Sequence, residues 1–97
     1  MRANRRDGNH HEIFMAIYKA GYFVFDTADT KNGFPDLFVT SKSGVDCVME
    51  IKMPGEKLTP AEDAFFLAHN GKHYIVRSAE EALAYLADLD EERTEIE

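Results

Sequence analysis

The chain has 97 residues, a mass of 11.0 kDa and a formal net charge of −7. This length allows one domain with one core, and the 44% hydrophobic and 30% charged residues are typical of a globular protein. No apolar run reaches the roughly 18 residues of a membrane helix, and none follows the basic start, so we expect neither a membrane protein nor a secretory signal. The single cysteine excludes an internal disulfide and a cysteine-based zinc cluster. We therefore expect a cytoplasmic protein.

The negative charge is concentrated at the C-terminal end. Residues 79–97 hold eight acidic residues and one arginine, whereas residues 1–78 hold ten acidic and ten basic residues. An acidic protein is a poor partner for nucleic acid, but carboxylates that bind a divalent cation would leave the neutral body with a net basic surface. We predict one domain over residues 1–87 and a solvated acidic tail over residues 88–97.

The first half of the chain predicts one helix and three strands. Asn9–Ala20 has apolar residues at helical spacing, with Asn9 and Glu12 as a capping box and Gly21 as the stop. A turn of Lys42, Ser43 and Gly44 joins the second and third strands. The predicted strands are Tyr22–Phe25, Phe34–Thr40 and Val45–Met53.

The second half predicts a helix, a strand and a helix. Thr59 and Glu62 form a second capping box around Pro60, and Asn70-Gly71 ends that helix. A strand at His73–Arg77 precedes a third helix from Ser78 to about Leu89. The order α-β-β-β-α-β-α indicates an α/β protein with a mixed sheet, in which an antiparallel meander is followed by a strand added in parallel through a helix.

The third strand carries charges where a buried strand should be apolar. Glu50 and Lys52 lie on one face, roughly 6.5 Å apart along the strand, because side chains alternate with a period of two. Asp36, directly after Pro35, falls beside Glu50 if the second and third strands pair in that register. Two carboxylates and a lysine suit a hard cation such as Mg²⁺ and charge stabilisation on a phosphate. The alternative is a plain cross-strand salt bridge between Lys52 and an acid.

These residues also resemble a known signature. Gly33-Phe34-Pro35-Asp36-Leu37 and Glu50-Ile51-Lys52 are similar to the Pro-Asp … Glu-x-Lys pattern of the PD-(D/E)xK nuclease superfamily. Further similarities at the helix starts after Asn9 and Leu58, and around Val76-Arg77-Ser78, resemble the virus-type replication-repair nuclease (VRR-NUC) group and related phage or bacterial endonucleases. The resemblance covers residues 7 to about 87 and implies a restriction-endonuclease-like α-β-β-β-α-β core with a C-terminal helix.

The resemblance implies a set of site residues. Asp36 and Glu50 would bind Mg²⁺ or Mn²⁺, with the main-chain carbonyl of Ile51 as a further ligand, and Lys52 would be the catalytic lysine. Glu12 corresponds to an additional acidic residue near the metal, with helix capping as the alternative. Glu62 stands where the group often has a glutamine, and its negative charge near the scissile phosphate leaves open whether it acts at the site or only caps its helix.

The remaining histidines and the cysteine are expected to have no catalytic part. We predict a solvated pair for His10 and His11, no zinc site at His69 and His73, and a core position for Cys47. Basic side chains are candidates for phosphate-backbone contacts. These are Arg2, Arg5, Arg6, Lys31, Lys42, Lys57, Lys72 and Arg77.

The predicted function is a divalent-metal-dependent endonuclease that hydrolyses phosphodiester bonds in DNA, selective for junctions or branches and without a small-molecule cofactor. A chain this short has little surface for reading a base sequence. The resemblance to Holliday-junction resolvases implies a role in repair or recombination and a homodimer, since two cuts need two sites. One alternative is a catalytically inactive module of the same fold for nucleic-acid binding or assembly. Another is a protein-interaction regulator whose acidic tail mimics DNA.

Overall fold

The first helix begins and ends close to where its sequence pattern predicts. A computed structural model describes residues 8–96 and the side chains of residues 8–92, so the predicted phosphate-contact residues Arg2, Arg5 and Arg6 lie outside the described residues. Helix α1 (His10–Lys19) buries Ile13 and Ile17 and ends in a Schellman motif, in which Gly21 has φ +92° and the Tyr22 amide donates to the Ile17 carbonyl. The predicted capping box is wrong, because the Asn9 side chain makes no cap hydrogen bond.

In the described part of the chain, four strands form one mixed sheet in the order in which they occur in the sequence. Strands β1 (Phe23–Asp26), β2 (Leu37–Thr40) and β3 (Asp46–Ile51) form an antiparallel meander. Strand β4 (Lys72–Val76) pairs with β3 in parallel and follows helix α2 (Pro60–Ala68). The predicted α/β class and mixed sheet are therefore confirmed. The structure has no helix among its described residues that is long and apolar enough to cross a membrane.

The core lies between one face of the sheet and helices α1 and α3 (Ala79–Ile96). Cys47 is buried in this core, as predicted. The buried apolar residues of this cluster are Ile13 and Ile17 of α1, Leu37, Val39, Cys47, Met49, Ile51 and Val76 of the sheet, and Ala82, Leu86 and Leu89 of α3. Helix α2 has no buried residue, although its capping box between Thr59 and Glu62 is formed as predicted.

Helix α3 continues through Ile96, well past the end predicted near Leu89. The acidic segment from residue 88 is therefore helical as far as Ile96. Leu89 is buried in the core, and Asp90 accepts hydrogen bonds from the Ser43 amide (2.9 Å) and the Tyr22 hydroxyl (3.3 Å). These contacts attach the start of the acidic segment to the β2–β3 turn and to the end of α1.

Candidate active site

The second strand begins at Leu37 instead of Phe34, and this shorter strand positions the first candidate residue. Leu37 pairs with Met49, which places Asp36, one residue earlier, opposite Glu50. The Asp36 side chain then takes the place of a strand partner, since the Ile51 amide donates to its Oδ2 at 2.8 Å. The register that the sequence required is thus confirmed, and the two acidic side chains share the sheet face opposite the core.

Lys52 extends from the end of β3 into a group of carboxylates. Its Nζ lies 2.7 Å from Oε1 of Glu62, 3.8 Å from Oε2 of Glu50 and 4.0 Å from Oε2 of Glu56. Glu50 and Lys52 are both almost fully buried, at 3% and 4% exposure. The shortest ion pair is therefore made with helix α2 and not across the strands, which differs from the predicted salt-bridge alternative.

Burial and mutual repulsion shift the ionisation of this cluster. Burial, with Asp36 and Glu62 nearby, raises the pKa of Glu50 to about 10, although Lys52 opposes the shift. Burial also raises the pKa of Asp36, despite the Ile51 amide and the nearby His10, both of which lower it. Without a cation, Glu50 therefore keeps a proton at neutral pH, because three carboxylates close together cannot all ionise.

The ion pair between Glu62 and Lys52 is the charged part of the cluster. Burial alone would raise the pKa of Glu62, but hydrogen bonds from Lys52 and from the Thr59 amide lower it below its usual value. For Lys52, burial alone would lower the pKa, but the bond to Glu62 outweighs it and raises the pKa. Glu62 thus both caps α2 and holds the ammonium, so the two roles considered for it are compatible.

The donor chemistry of the cluster fits a hard divalent cation. Asp36 and Glu50 offer adjacent carboxylate oxygens, the ligands that Mg²⁺ and Mn²⁺ prefer, and a cation would replace the proton on Glu50. Within the described part of the chain, no three His, Cys, Asp or Glu side chains are already arranged to hold a metal ion. The role of the Ile51 carbonyl stays a prediction.

Glu12 lies apart from these contacts. It is exposed on α1, and no hydrogen bond or ion pair among the described residues ties it to Asp36, Glu50 or Lys52. The predicted capping box with Asn9 is not formed, and Glu12 is an acidic residue in the first turn of α1. Its assistance to a metal stays a prediction.

Sequence reasoning missed His10 and Asp26 beside the site. His10 is 4% exposed and its Nε2 lies 3.1 Å from Oδ2 of Asp26, so the predicted solvated histidine pair is wrong for this residue. The sequence contains a signal for the burial of His10, because this residue continues the apolar stripe of Ile13 and Ile17 at helical spacing. Proximity of His10 also lowers the pKa of Asp36, which identifies His10 as a neighbour of the carboxylate cluster.

Asn9 is a second neighbour that the sequence did not indicate. Its Nδ2 donates to the Lys52 carbonyl at 3.3 Å and to the Arg77 carbonyl at 3.1 Å. Asn9 therefore joins the start of α1 to the ends of two parallel strands, including the residue that carries the ammonium. Its Oδ1 is buried and has no hydrogen-bond partner among the described residues.

An open groove of about 670 Å³ lies next to the cluster, between β4 and the segment that leads into α2. Its lining includes two predicted phosphate-contact residues, Lys57 and Arg77, and also Ile75, which pairs with Glu50. Comparison of the chain with protein-family models, with curated proteins and with solved structures finds no match.

Proposed function

We propose that this protein is a divalent-metal-dependent endonuclease that hydrolyses phosphodiester bonds in DNA, with a restriction-endonuclease-like core. One observation carries the proposal: Asp36 and Glu50 lie side by side at the end of β3, with the buried ammonium of Lys52 beside them. Burying charged groups costs free energy, and clusters of buried ionisable side chains are therefore concentrated at catalytic and binding sites. The resemblance to the PD-(D/E)xK signature supports the same assignment.

Each side chain has a distinct part in the proposed reaction. Asp36 and Glu50 would hold Mg²⁺ or Mn²⁺, with Ile51 and Glu12 as the further candidates, and the bound cation would polarise the scissile phosphate. The Lys52 ammonium would orient the attacking water and offset the charge that develops on the phosphate. Glu62 fixes that ammonium in position through the 2.7 Å ion pair.

The proposed substrate is DNA with a junction or branch, cut by a homodimer in the cytoplasm. A single domain of this size presents one such site, and cutting two strands at a junction requires two sites related by a symmetry axis. A role in DNA repair or recombination follows from that substrate. This part of the proposal rests on the resemblance and on the size of the chain.

A second candidate function is a catalytically inactive module of the same fold that binds nucleic acid or takes part in an assembly. The observation that favours it is the 2.7 Å ion pair, because an ammonium neutralised by Glu62 is less able to stabilise charge on a phosphate. Metal-independent DNA binding without any product would select this candidate.

The test is cleavage of labelled duplex, single-stranded and four-way-junction DNA in Mg²⁺, Mn²⁺ or EDTA. We expect metal-dependent products, with a loss of about 100-fold or more in Glu50→Ala and Lys52→Ala. The exposed residues Glu91 and Lys19 give matched controls, Glu91→Ala and Lys19→Ala, which should cut like the wild type. Cleavage by Lys52→Ala at the wild-type rate would refute the mechanism, and no cleavage by folded wild-type protein under any condition would refute the nuclease.

A further inference from the structure

Two histidine side chains outside the carboxylate cluster lie within hydrogen-bond distance of each other. His69 caps the C-terminal end of α2 and His73 is the second residue of β4. Their Nδ1 atoms are 3.0 Å apart, and both residues are half-buried, so solvent reaches the pair. Neither residue has a part in the proposed nuclease chemistry.

The surroundings hold both imidazole rings in place. His69 stacks on Phe65 with ring centroids 5.0 Å apart, and His73 packs on Phe66 at 4.6 Å. Gly71, in the turn between the two histidines, makes this possible, because a Cβ there would lie 2.9 Å from Cε1 and Nε2 of His69. The pair is thus built from two elements, two aromatic contacts and one glycine.

We propose that His69 and His73 form a two-imidazole site for a late first-row divalent cation, Cu²⁺ or Ni²⁺. Metal–nitrogen bonds of about 2.0–2.1 Å that join two nitrogens 3.0 Å apart enclose an angle of about 94°. This angle matches the square-planar or tetragonal geometry of Cu²⁺ and Ni²⁺ better than the tetrahedral angle that Zn²⁺ prefers. Both rings then carry their proton on Nε2, and solvent completes the coordination.

The site differs in kind from the carboxylate cluster. Imidazole nitrogens suit late first-row cations such as Cu²⁺ and Ni²⁺, whereas carboxylate oxygens suit Mg²⁺ and Mn²⁺, so the two sites prefer different cations. A metal held by both histidines would also join the C-terminal end of α2 to β4. This matters for α2, which buries none of its own residues. The inference is independent of the nuclease proposal.

The experiment is calorimetric titration of tag-free protein with NiCl₂ in excess Mg²⁺, which occupies the carboxylates. We expect one equivalent to bind, and we expect His69→Gln and His73→Gln each to weaken the affinity at least tenfold. The matched control His11→Gln, at an exposed histidine, should leave the affinity unchanged. A Cu²⁺-loaded sample should show two equatorial nitrogen donors by electron paramagnetic resonance.

A variant that keeps both histidines guards against a folding artefact. Gly71→Ala should displace the His69 ring and weaken Ni²⁺ binding, with circular dichroism in EDTA unchanged. If the wild type binds no Ni²⁺ or Cu²⁺, or binds as tightly as the His69→Gln/His73→Gln double variant, the proposal is overturned. The pair is then a neutral hydrogen bond from one Nδ1 to the other. DNA cleavage does not enter either readout, so failure here is distinct from failure of the proposed function.

Discussion

Glu62 occupies the position at which the VRR-NUC nucleases, which this sequence resembles, often have a glutamine. Its Oε1 accepts from the Thr59 amide at 2.8 Å and lies 2.7 Å from the Lys52 ammonium. A glutamine could accept both bonds through its amide oxygen without bringing a negative charge near the phosphate. The residue therefore allows the effect of charge to be separated from that of geometry.

We expect Glu62→Gln to increase cleavage several-fold and Glu62→Ala to reduce it. The first change frees the ammonium from a neutralising charge, while the second removes the contact that holds it. Glu80→Gln, at an exposed glutamate of α3 with the same change of charge, is the matched control. The measurement is the cleavage rate of each variant at a saturating concentration of Mg²⁺. A rate for Glu62→Gln below that for Glu62→Ala would contradict this account.

Most of the candidate site could be predicted from individual residues. The period-two pattern places Glu50 and Lys52 on one face, and the register of Asp36 follows once the core face is assigned. The contact of Glu62 with Lys52 could not be predicted, because it depends on where α2 lies in space. The capping role predicted for Asn9 was wrong because its side-chain amide donates to two main-chain carbonyls at the ends of distant strands and does not cap its own helix.

At the scale of elements, helix α3 continues further than its sequence pattern predicts. A run of like charges is typical of a solvated end, and local sequence contains no information on the docking partner of Asp90. That partner is the β2–β3 turn, 47 residues earlier. The order of the seven elements in the described part of the chain was nevertheless predictable, because turn residues and apolar periodicity indicate the same boundaries for most of them.

We expect Asp90→Ala to lower the free energy of unfolding by about 1 kcal/mol at pH 7, since it removes hydrogen bonds to a partly exposed carboxylate. Burial slightly opposes ionisation of Asp90, but the bonds from Ser43, Ser41 and Tyr22 outweigh it and lower its pKa. A depressed pKa stabilises the fold above the unfolded value of 3.8, and this contribution disappears as the pH falls through the folded value.

Chemical denaturation at pH 7 and near pH 3 measures this effect. The difference between Asp90→Ala and wild type should shrink at the lower pH. Asp88→Ala is the matched control, because Asp88 is exposed on the same helix. An equal loss of stability in both variants would mean that Asp90 contributes only through the general charge of the helix.

At the scale of the whole molecule, the buried carboxylates make stability depend on pH and on metal together. The pKa of Glu50 rises from 4.5 to about 10 on folding, so above pH 4.5 the unfolded chain releases a proton that the folded chain retains. Stability therefore falls as the pH rises through this window, by at most roughly 1.4 kcal/mol per pH unit. A cation that replaces the proton should offset the loss.

Thermal melts in EDTA and in Mg²⁺ at pH 5, 7 and 9 test this expectation. The wild type should lose stability with rising pH in EDTA, and Mg²⁺ should raise its melting temperature more at pH 9 than at pH 5. Glu50→Gln, which has no proton to lose, should show a flatter profile and little response to Mg²⁺. A Mg²⁺ response that is the same in both proteins would place the cation elsewhere.

The light packing of α2 has a further consequence for how the molecule moves. A helix without a buried residue, with Leu67 80% exposed, can detach while the sheet and its two core helices stay folded. Amide hydrogen exchange should therefore be faster in α2 than in α1, and its rate should not follow the global unfolding equilibrium. Each such opening would separate Glu62 from Lys52, so the net charge around the Lys52 ammonium would change at the rate of a local motion, not at the rate of unfolding.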